Sequence, residues 1–175
     1  FTNHLIALED KFAGKKIDLN KSELTLHKIR TSNTIIANGH IERFISFRNN
    51  DLPGVMLASS FEKYIHRYGV VPEKEPVIFT NNSSSLSLLK KLISLGCKPK
   101  AYVDSRKKDN IETEIKKILK DKEIPFFSDA EIEGCDGNKK VETITIRQGK
   151  SFNKLKSSML CVSGGYNPDI HLFTQ

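Results

Sequence analysis

The residues best placed to do chemistry lie at the ends of two neighbouring predicted strands. Residues 77–80 (VIFT) form a short apolar run typical of a buried parallel strand, and the polar loop 81–85 (NNSSS) follows it. Asp104 ends the next predicted strand, 23 residues after Asn81. In dinucleotide-binding βαβ units, an acid about 20 residues beyond the phosphate-binding turn hydrogen-bonds a ribose hydroxyl, and amides at the helix start bind the pyrophosphate. This spacing predicts a dinucleotide site with the cofactor-binding residues Thr80, Asn81, Asn82, Ser83, Asp104 and Arg106.

The loop that should hold the pyrophosphate contains no glycine. Residues 81–85 are two asparagines and three serines, whereas the usual fingerprint needs glycines for a tight turn and for close approach of the backbone. Two interpretations stay open: a site that binds NAD in an altered way, or a retained fold whose site is lost. Asp104 is equally well explained as a ribose ligand or as a surface acid at a strand end. Arg106 could accommodate a 2′-phosphate, but the charge of Asp104 favours NAD over NADP.

Two glycine-containing turns are further candidates for cofactor contacts. Asn38-Gly39 follows the short apolar run 34–37, and Ser163-Gly164-Gly165 follows the apolar run 159–162. Glycine permits a positive φ and a close approach of the backbone, so the turns could face a phosphate or a ribose, or simply link structural elements. No nucleophile, base and orienting acid occur in a recognisable pattern, so we predict no catalytic residue in this chain.

The cysteines and histidines show no spacing typical of a metal site. Three cysteines and five histidines are scattered along the sequence without a CxxC pair, so we predict no metal. We interpret the cysteines as reduced thiols of a cytoplasmic protein. The 28 Lys and Arg are interleaved with 21 Asp and Glu, which is typical of a solvated surface rather than of a nucleic-acid footprint. We therefore expect no nucleic acid as a partner. No apolar run reaches the roughly 18 residues of a membrane helix, so we expect no membrane partner either.

The elements that would position these residues alternate between strands and helices. The pattern predicts strands at 77–80, 101–104 and 124–128, a helical stripe from Leu86 to Ile93 ended by Gly96, and an amphipathic helix at 107–122. This β-α-β-α-β series predicts the α/β class, with a Rossmann-like parallel sheet and right-handed crossovers.

Further elements are predicted on both sides of this series. A β-hairpin with an Asp-Gly turn is predicted over 130–148. The remaining predictions are strands at 4–8, 23–30, 34–37 and 159–162, a helix at 55–68 ended by Gly69, a polar loop at 14–22, and polar connectors at 71–76 and 149–158.

Three stretches of the sequence carry a family resemblance. They are TIIANGHIERFISFRNNDLPGVMLASSFEKYIHRYGV (34–70), VIFTNNSSSLSLLKKLISLGCKPKAYVDSR (77–106) and LCVSGGYNPDIHLFTQ (160–175). They resemble the α subunit of heterotetrameric sarcosine oxidase, above all in the Asn-Asp-x-Pro-Gly-Val-Met segment at 50–56 and in the Ser-Gly-Gly-Tyr-Asn-Pro segment at 163–168.

The resemblance implies a fragment of an oxidoreductase subunit in which one Rossmann-like domain is inserted into a second FAD/NAD(P)-binding-type domain. Residues 1–70 and 150–175 would belong to the outer domain, and residues 71–149 would form the inserted one. In that family the complex demethylates sarcosine to glycine with FAD, FMN, oxygen and tetrahydrofolate, and the α subunit holds NAD at a glycine-rich turn upstream of the matched region. The implied partners are the beta, gamma and delta subunits, and the region itself would be non-catalytic.

The length and the first residue agree with a partial chain. A length of 175 residues predicts one domain or two small ones, and the sequence begins with Phe rather than Met, so we expect a piece of a longer polypeptide. Two alternatives to the sarcosine oxidase interpretation stay open. One is a structural docking domain with no bound nucleotide, and the other is a subunit of a related opine or amino-acid oxidase or dehydrogenase.

Overall fold

The computed structural model describes residues 4–10 and 24–174, which divide into two compact units. The smaller unit comprises the described residues up to Asn38 together with Ile170 and the residues after it, and the larger unit is Gly39–Asp169. The polar loop predicted at 14–22 lies outside the described residues.

The smaller unit contains an antiparallel pair of strands, β1 (His4–Asp10) and β2 (Leu24–Arg30), in which Leu8 lies opposite Leu26. The strands predicted at 4–8 and 23–30 are thus present, the second from Leu24 onward. The strand predicted at 34–37 is wrong, because these residues have no regular structure and Ile35 is 94% exposed. A short apolar run becomes a strand only where a neighbouring strand completes its hydrogen-bond ladder.

The larger unit is built from a parallel sheet, three helices, a second sheet and a short ribbon. In chain order its elements are β3 (His40–Glu42), β4 (Val55–Leu57), α1 (Ala58–Tyr68), β5 (Val77–Thr80), α2 (Leu86–Ser94), β6 (Ala101–Asp104), α3 (Thr113–Asp121), β7 (Phe126–Ser128), β8 (Ala130–Asp136), β9 (Thr143–Gln148), β10 (Ser151–Lys156), β11 (Leu160–Ser163) and β12 (Tyr166–Pro168).

Five strands form the parallel sheet in the order β4-β11-β5-β6-β7. Helices α1, α2 and α3 pack on one face through side chains such as Phe61, Leu88 and Ile115. The antiparallel sheet β10-β9-β8 packs on the other face through Ile132, Ile144 and others. The strands of the parallel sheet are apolar along most of their length because both faces are buried.

The predicted β-α-β-α-β series and the hairpin at 130–148 are confirmed, with β8 and β9 antiparallel as expected. The sheet also joins strands from all three segments of the predicted domain division, since β4, β5 and β11 are neighbours or near neighbours. That division, at residues 70/71 and 149/150, stays a prediction.

Three predicted elements of the larger unit need correction. Residues 55–57 are a strand, because they complete the ladder of β11, and the helix begins only at Ala58; it ends at Gly69 as predicted. The helix predicted at 107–122 covers Thr113–Asp121, preceded by a 3₁₀ turn at Lys108–Asn110. The connector predicted at 149–158 contains β10, which pairs with β9 across a tight turn at Gly149. Its polar composition fits an exposed edge strand.

The longest helix in the described part of the chain has 11 residues, and none there is long and apolar enough to cross a membrane.

Candidate functional site

The candidate site lies at the carboxyl edge of the parallel sheet. From β5 the chain winds through α2, β6, α3 and β7 towards one end of the sheet, while β11 and β4 lie on the other side of β5. The boundary between β5 and β11 is therefore the point where the winding reverses, and ligands of such folds bind in the crevice outside that point. Thr80, Asp104 and Ser163 end the three central strands at this edge, and all three are fully buried.

Asp104 is bound by a neighbour in the chain. Its Oδ1 accepts hydrogen bonds from the backbone N–H of Arg106 at 2.9 Å and from Arg106 Nε at 3.0 Å, and its Oδ2 accepts one from Arg106 Nη2 at 2.8 Å. The ion pair raises the pKa of Arg106, chiefly through the hydrogen bond to Asp104. The sequence predicts both residues as cofactor contacts, and the structure brings them together as partners of each other.

Arg106 also joins the β5–α2 loop to the residue before α3. Its Nη1 donates to Ser83 Oγ at 3.1 Å, and its Nη2 lies 3.5 Å from Glu112 Oε2. Ser83 Oγ in turn donates to Glu112 Oε1. These contacts lower the pKa of Glu112, with the Ser83 hydrogen bond as the largest cause. Ser83, Arg106 and Glu112 thus form a small polar network at the carboxyl edge of the sheet.

Asn82 uses every hydrogen-bonding position of its side-chain amide. Its Nδ2 donates to the carbonyl of Ser163 at 3.0 Å and to Asn81 Oδ1 at 2.9 Å. Its Oδ1 accepts from the backbone N–H of Ser84 at 2.8 Å and from the Ser84 hydroxyl. The side chain therefore spans the boundary between β5 and β11, and the Ser84 and Ser163 hydroxyls make a second bridge at 3.0 Å.

Thr80 completes the same network from inside the sheet. Its hydroxyl donates towards the carbonyls of Asn82 at 2.9 Å and Ser163 at 3.0 Å, and it accepts from the backbone N–H of Asn82 at 3.1 Å. The backbone N–H of Asn81 points to the same Ser163 carbonyl at 3.4 Å. Sequence reasoning considered Ser163 only as part of the turn with the two glycines that follow it. The structure places it at the end of β11, where its carbonyl is bound by Thr80 and Asn82.

The two glycines after β11 have a structural explanation. Gly164 donates its N–H to the carbonyl of Arg43 at 2.9 Å, and a Cβ on Gly164 would lie 2.5 Å from that oxygen. Gly165 has a φ of +85° and accepts from the backbone N–H of Arg43 at 2.8 Å. The backbone of residues 164–165 pairs with that of residue 43 and so extends the ribbon of β3 and β12. Glycine is required because this close approach leaves no room for a Cβ at 164 and residue 165 has a positive φ.

Gly39 lies at the other end of the same ribbon. It has a φ of +78°, and its carbonyl accepts from the backbone N–H of Asp169 at 3.1 Å. Asn38 is the last residue of the smaller unit before the chain enters the larger one. The structure therefore gathers Thr80, Asn81, Asn82, Ser83, Asp104, Arg106, Gly164 and Gly165 at or beside the crevice, and it places the Asn38-Gly39 turn at the base of the ribbon.

As they stand, these side chains do not fit a dinucleotide bound in the usual way. A ribose hydroxyl would need to reach Asp104, which is fully buried and already accepts three hydrogen bonds from Arg106. A pyrophosphate would need free amides in a loop without side chains, whereas Asn82 and Ser84 donate theirs to Thr80 and Asn82.

In the described part of the chain, this edge of the sheet contains neither a metal site nor a reactive cysteine. Among the described residues no group of three His, Cys, Asp or Glu side chains could hold a metal ion. The thiols are free and buried, and burial raises the pKa of Cys135 to about 11 and that of Cys161 well above its ordinary value. Both thiols are therefore protonated near neutral pH.

The sequence is similar to subunits alpha of sarcosine oxidase. It is 33% identical over 147 residues to the subunit of Rhizobium meliloti (strain 1021) and 29% identical over 154 residues to that of Corynebacterium sp. (strain U-96). Each match covers 84% of this chain but only 14% and 16% of the two relatives. The resemblance inferred from the residues is thus confirmed, and the chain spans a small part of its relatives. No protein-family model matches the chain.

The fold is shared with solved thioredoxin reductases. Thioredoxin reductase of T. acidophilum superimposes with a TM-score of 0.62 at 14% identity, covering 89% of this chain and 52% of that one. At this level of identity the likeness concerns the fold alone. The predicted Rossmann-like α/β class is confirmed.

Proposed function

We propose that this chain is a region of the α subunit of a sarcosine-oxidizing enzyme, a hetero-oligomeric oxidoreductase. The observation that carries the proposal is the 33% identity to a sarcosine oxidase subunit alpha over 84% of the chain. The second support is the Rossmann-like sheet, because flavin- and nicotinamide-dependent oxidoreductases use this architecture to hold their cofactors.

The reaction assigned to the whole enzyme is oxidative demethylation of sarcosine to glycine. FAD and FMN would carry the electrons to oxygen, tetrahydrofolate would take up the one-carbon unit, and the α subunit would hold NAD outside this region. The partners would be the beta, gamma and delta subunits, with no nucleic acid and no membrane. The free thiols favour a cytoplasmic location.

This region would serve the enzyme as a non-catalytic domain of the nucleotide-binding type. The polar side chains at the carboxyl edge of its sheet are occupied by contacts of the chain with itself. Those contacts also favour the second candidate function, a structural domain that holds no nucleotide. A related enzyme acting on an opine or another amino acid would have the same architecture.

The test is an assay of the assembled enzyme, purified through a tag on the full-length subunit. We expect oxygen uptake and glycine formation with sarcosine, and little turnover with an opine or with proline. A second preparation carrying Asp104→Asn should keep kcat within about twofold, because an uninvolved residue stabilises no transition state. Preferred turnover of an opine would overturn the substrate assignment, and a kcat loss above 100-fold in a correctly assembled Asp104→Asn enzyme would overturn the non-catalytic role.

A further inference from the structure

We propose that the crevice at the carboxyl edge is closed by the chain's own side chains, with Asn82 as a clamp between the β5–α2 loop and the end of β11. The domain would then hold no dinucleotide at this edge, and the clamp would add a side-chain bridge to the backbone pairing of β5 with β11. The inference concerns residues 80–85, 104–112 and 163–165, and it does not depend on the sarcosine activity.

The first argument is that the Asn82 amide is saturated. A primary amide has two N–H donors and one oxygen with two lone pairs, and here all four positions are used. An incoming phosphate would have to break the bond to the Ser163 carbonyl, and it would leave that carbonyl in a buried setting with fewer donors. A fixed side chain therefore occupies the boundary between β5 and β11, where the fold ordinarily accepts a pyrophosphate.

The second argument concerns the backbone amides of the loop. Those of Asn81, Asn82 and Ser84 point to Ser163 O, Thr80 Oγ1 and Asn82 Oδ1. In a phosphate-binding turn such amides point at the ligand. Their internal acceptors take the place of phosphate oxygens, so these three amides of the loop before α2 are not free to bind an anion.

The third argument is the pairing of Asp104 with Arg106. Three hydrogen bonds hold the buried carboxylate, and two of them come from a guanidinium in side-on geometry. Charge-assisted pairs of this kind are roughly twice as strong as neutral hydrogen bonds. A neutral ribose hydroxyl offers a weaker donor than the guanidinium, and the carboxylate that it would have to reach is fully buried. At the ribose position, as at the phosphate position, contacts of the chain with itself thus take the place of the ligand.

The test combines nucleotide titration with hydrogen exchange. The 175-residue chain is titrated with NAD, NADH and NADP by calorimetry, and amide exchange is followed at residues 81–85 and 163–165. For each of the three nucleotides we expect a dissociation constant of about 1 mM or more, which corresponds to weak contacts only. Asn82→Ala should accelerate exchange of the Ser84 amide about tenfold, because that amide loses its acceptor. Asn153→Ala, on the exposed strand β10, is the matched control and should change neither property.

Asn82→Asp separates the two halves of the clamp. The carboxylate still accepts from the Ser84 amide, but it can no longer donate to the Ser163 carbonyl and it repels that oxygen. The end of β11 should therefore open more often, so exchange should accelerate at 163–165 and stay slow at Ser84. If neither variant folds, the wild-type titration and its exchange pattern still decide. Binding tighter than 100 μM that protects residues 81–85 would overturn the inference, as would variants whose exchange matches the control. The outcome of this experiment does not depend on whether the parent enzyme oxidises sarcosine. This inference and the proposed function can therefore fail independently of each other.

Discussion

At the scale of single residues, the structure separates glycines that are needed from glycines that are tolerated. Gly54 has a φ of +106°, and a Cβ there would lie 2.4 Å from the carbonyl oxygen of Ser158. The Gly54 carbonyl also accepts from the backbone N–H of Leu160, the first residue of β11. Gly149 has a φ of +58° with no atom within 4 Å of a Cβ. The two positions therefore form a matched pair for one substitution.

We expect Gly54→Ala to lower the free energy of unfolding by about 3 kcal/mol or more, because it combines a disfavoured φ with a backbone clash. Gly149→Ala should lower it by only about 1–2 kcal/mol, the cost of a left-handed residue with a side chain. Urea unfolding followed by circular dichroism measures both. Equal losses in the two variants would show that the close approach of Gly54 to Ser158 is not a constraint.

The site residues show how far single positions could be predicted from sequence. The spacing of Asp104 from the loop correctly placed it at the carboxyl edge, because parallel strands end together. It could not reveal that the guanidinium of Arg106, two residues on, turns back onto the same carboxylate. Ser163 lies about 80 residues from its partners Thr80 and Asn82 in the sequence, and only the pairing of β11 with β5 brings them together.

At the scale of elements, helix α1 depends on a residue from outside itself. It begins after Leu57, which has no side-chain acceptor, and its first turn contains no acidic residue. The backbone N–H of Ser59 instead donates to Glu42 Oε2 at 2.8 Å, and Glu42 is buried at the end of β3. A carboxylate at a helix start satisfies a free amide and interacts favourably with the helix dipole. Glu42 therefore ties the ribbon to the helix.

We expect Glu42→Ala to lower the free energy of unfolding by about 1–2 kcal/mol, the usual range for loss of a helix cap. Glu42→Gln keeps an acceptor for Ser59 and should recover part of that loss. Glu131→Ala removes the same charge from an exposed ion pair with Arg147 and should change stability by less than about 1 kcal/mol. If Glu42→Ala were as stable as the Glu131→Ala control, Glu42 would not stabilise the start of α1.

The elements themselves were predicted best where both faces are buried. The strands β5, β6 and β7 read as apolar runs, and the helices between them as amphipathic stripes, so local pattern and burial agree. The errors arose where a distant partner decides the structure. Residues 55–57 continue a helical pattern but pair with β11, and residues 34–37 resemble a strand but have no ladder. The polar edge strand β10 was hidden because its side chains face solvent.

At the scale of the whole molecule, acid should weaken the fold through carboxylates held by hydrogen bonds. The Ser158 hydroxyl lowers the pKa of Glu73, the Ser83 hydroxyl lowers that of Glu112, and Arg48 lowers that of Asp136. A lowered folded pKa adds stability that is present above the unfolded value and is lost as pH falls through the folded one. The relevant window therefore lies below the ordinary values of 4.5 and 3.8.

We expect urea midpoints that are nearly constant between pH 7 and about 5.5 and that fall steadily below about pH 4.5. The fall should be modest, because these carboxylates are at least partly exposed and such pairs contribute little. Asp136→Asn should make the acid limb shallower, since it removes one of the titrating groups. An acid limb as steep in Asp136→Asn as in the wild type would mean that the Arg48 pair does not contribute to it.

The largest-scale prediction is that residues 39–169 fold on their own. This segment contains the complete parallel sheet, the helices that cover one face and the antiparallel sheet that covers the other, so both apolar clusters close within it. The smaller unit instead exposes Ile6, Leu8, Leu24 and Leu26 by 59–67% on one face of its strand pair. A pair of strands with its apolar side open is marginal in water and binds other apolar surfaces.

The isolated segment 39–169 should therefore unfold in urea in one cooperative transition, with a midpoint close to that of the same residues in the 175-residue chain. The longer chain should bind the dye ANS more strongly, because only it carries the exposed apolar face. Circular dichroism and ANS fluorescence on the two proteins test both points. A segment 39–169 without a cooperative transition would mean that the smaller unit stabilises the parallel sheet, and equal ANS binding would place the exposed apolar surface within residues 39–169.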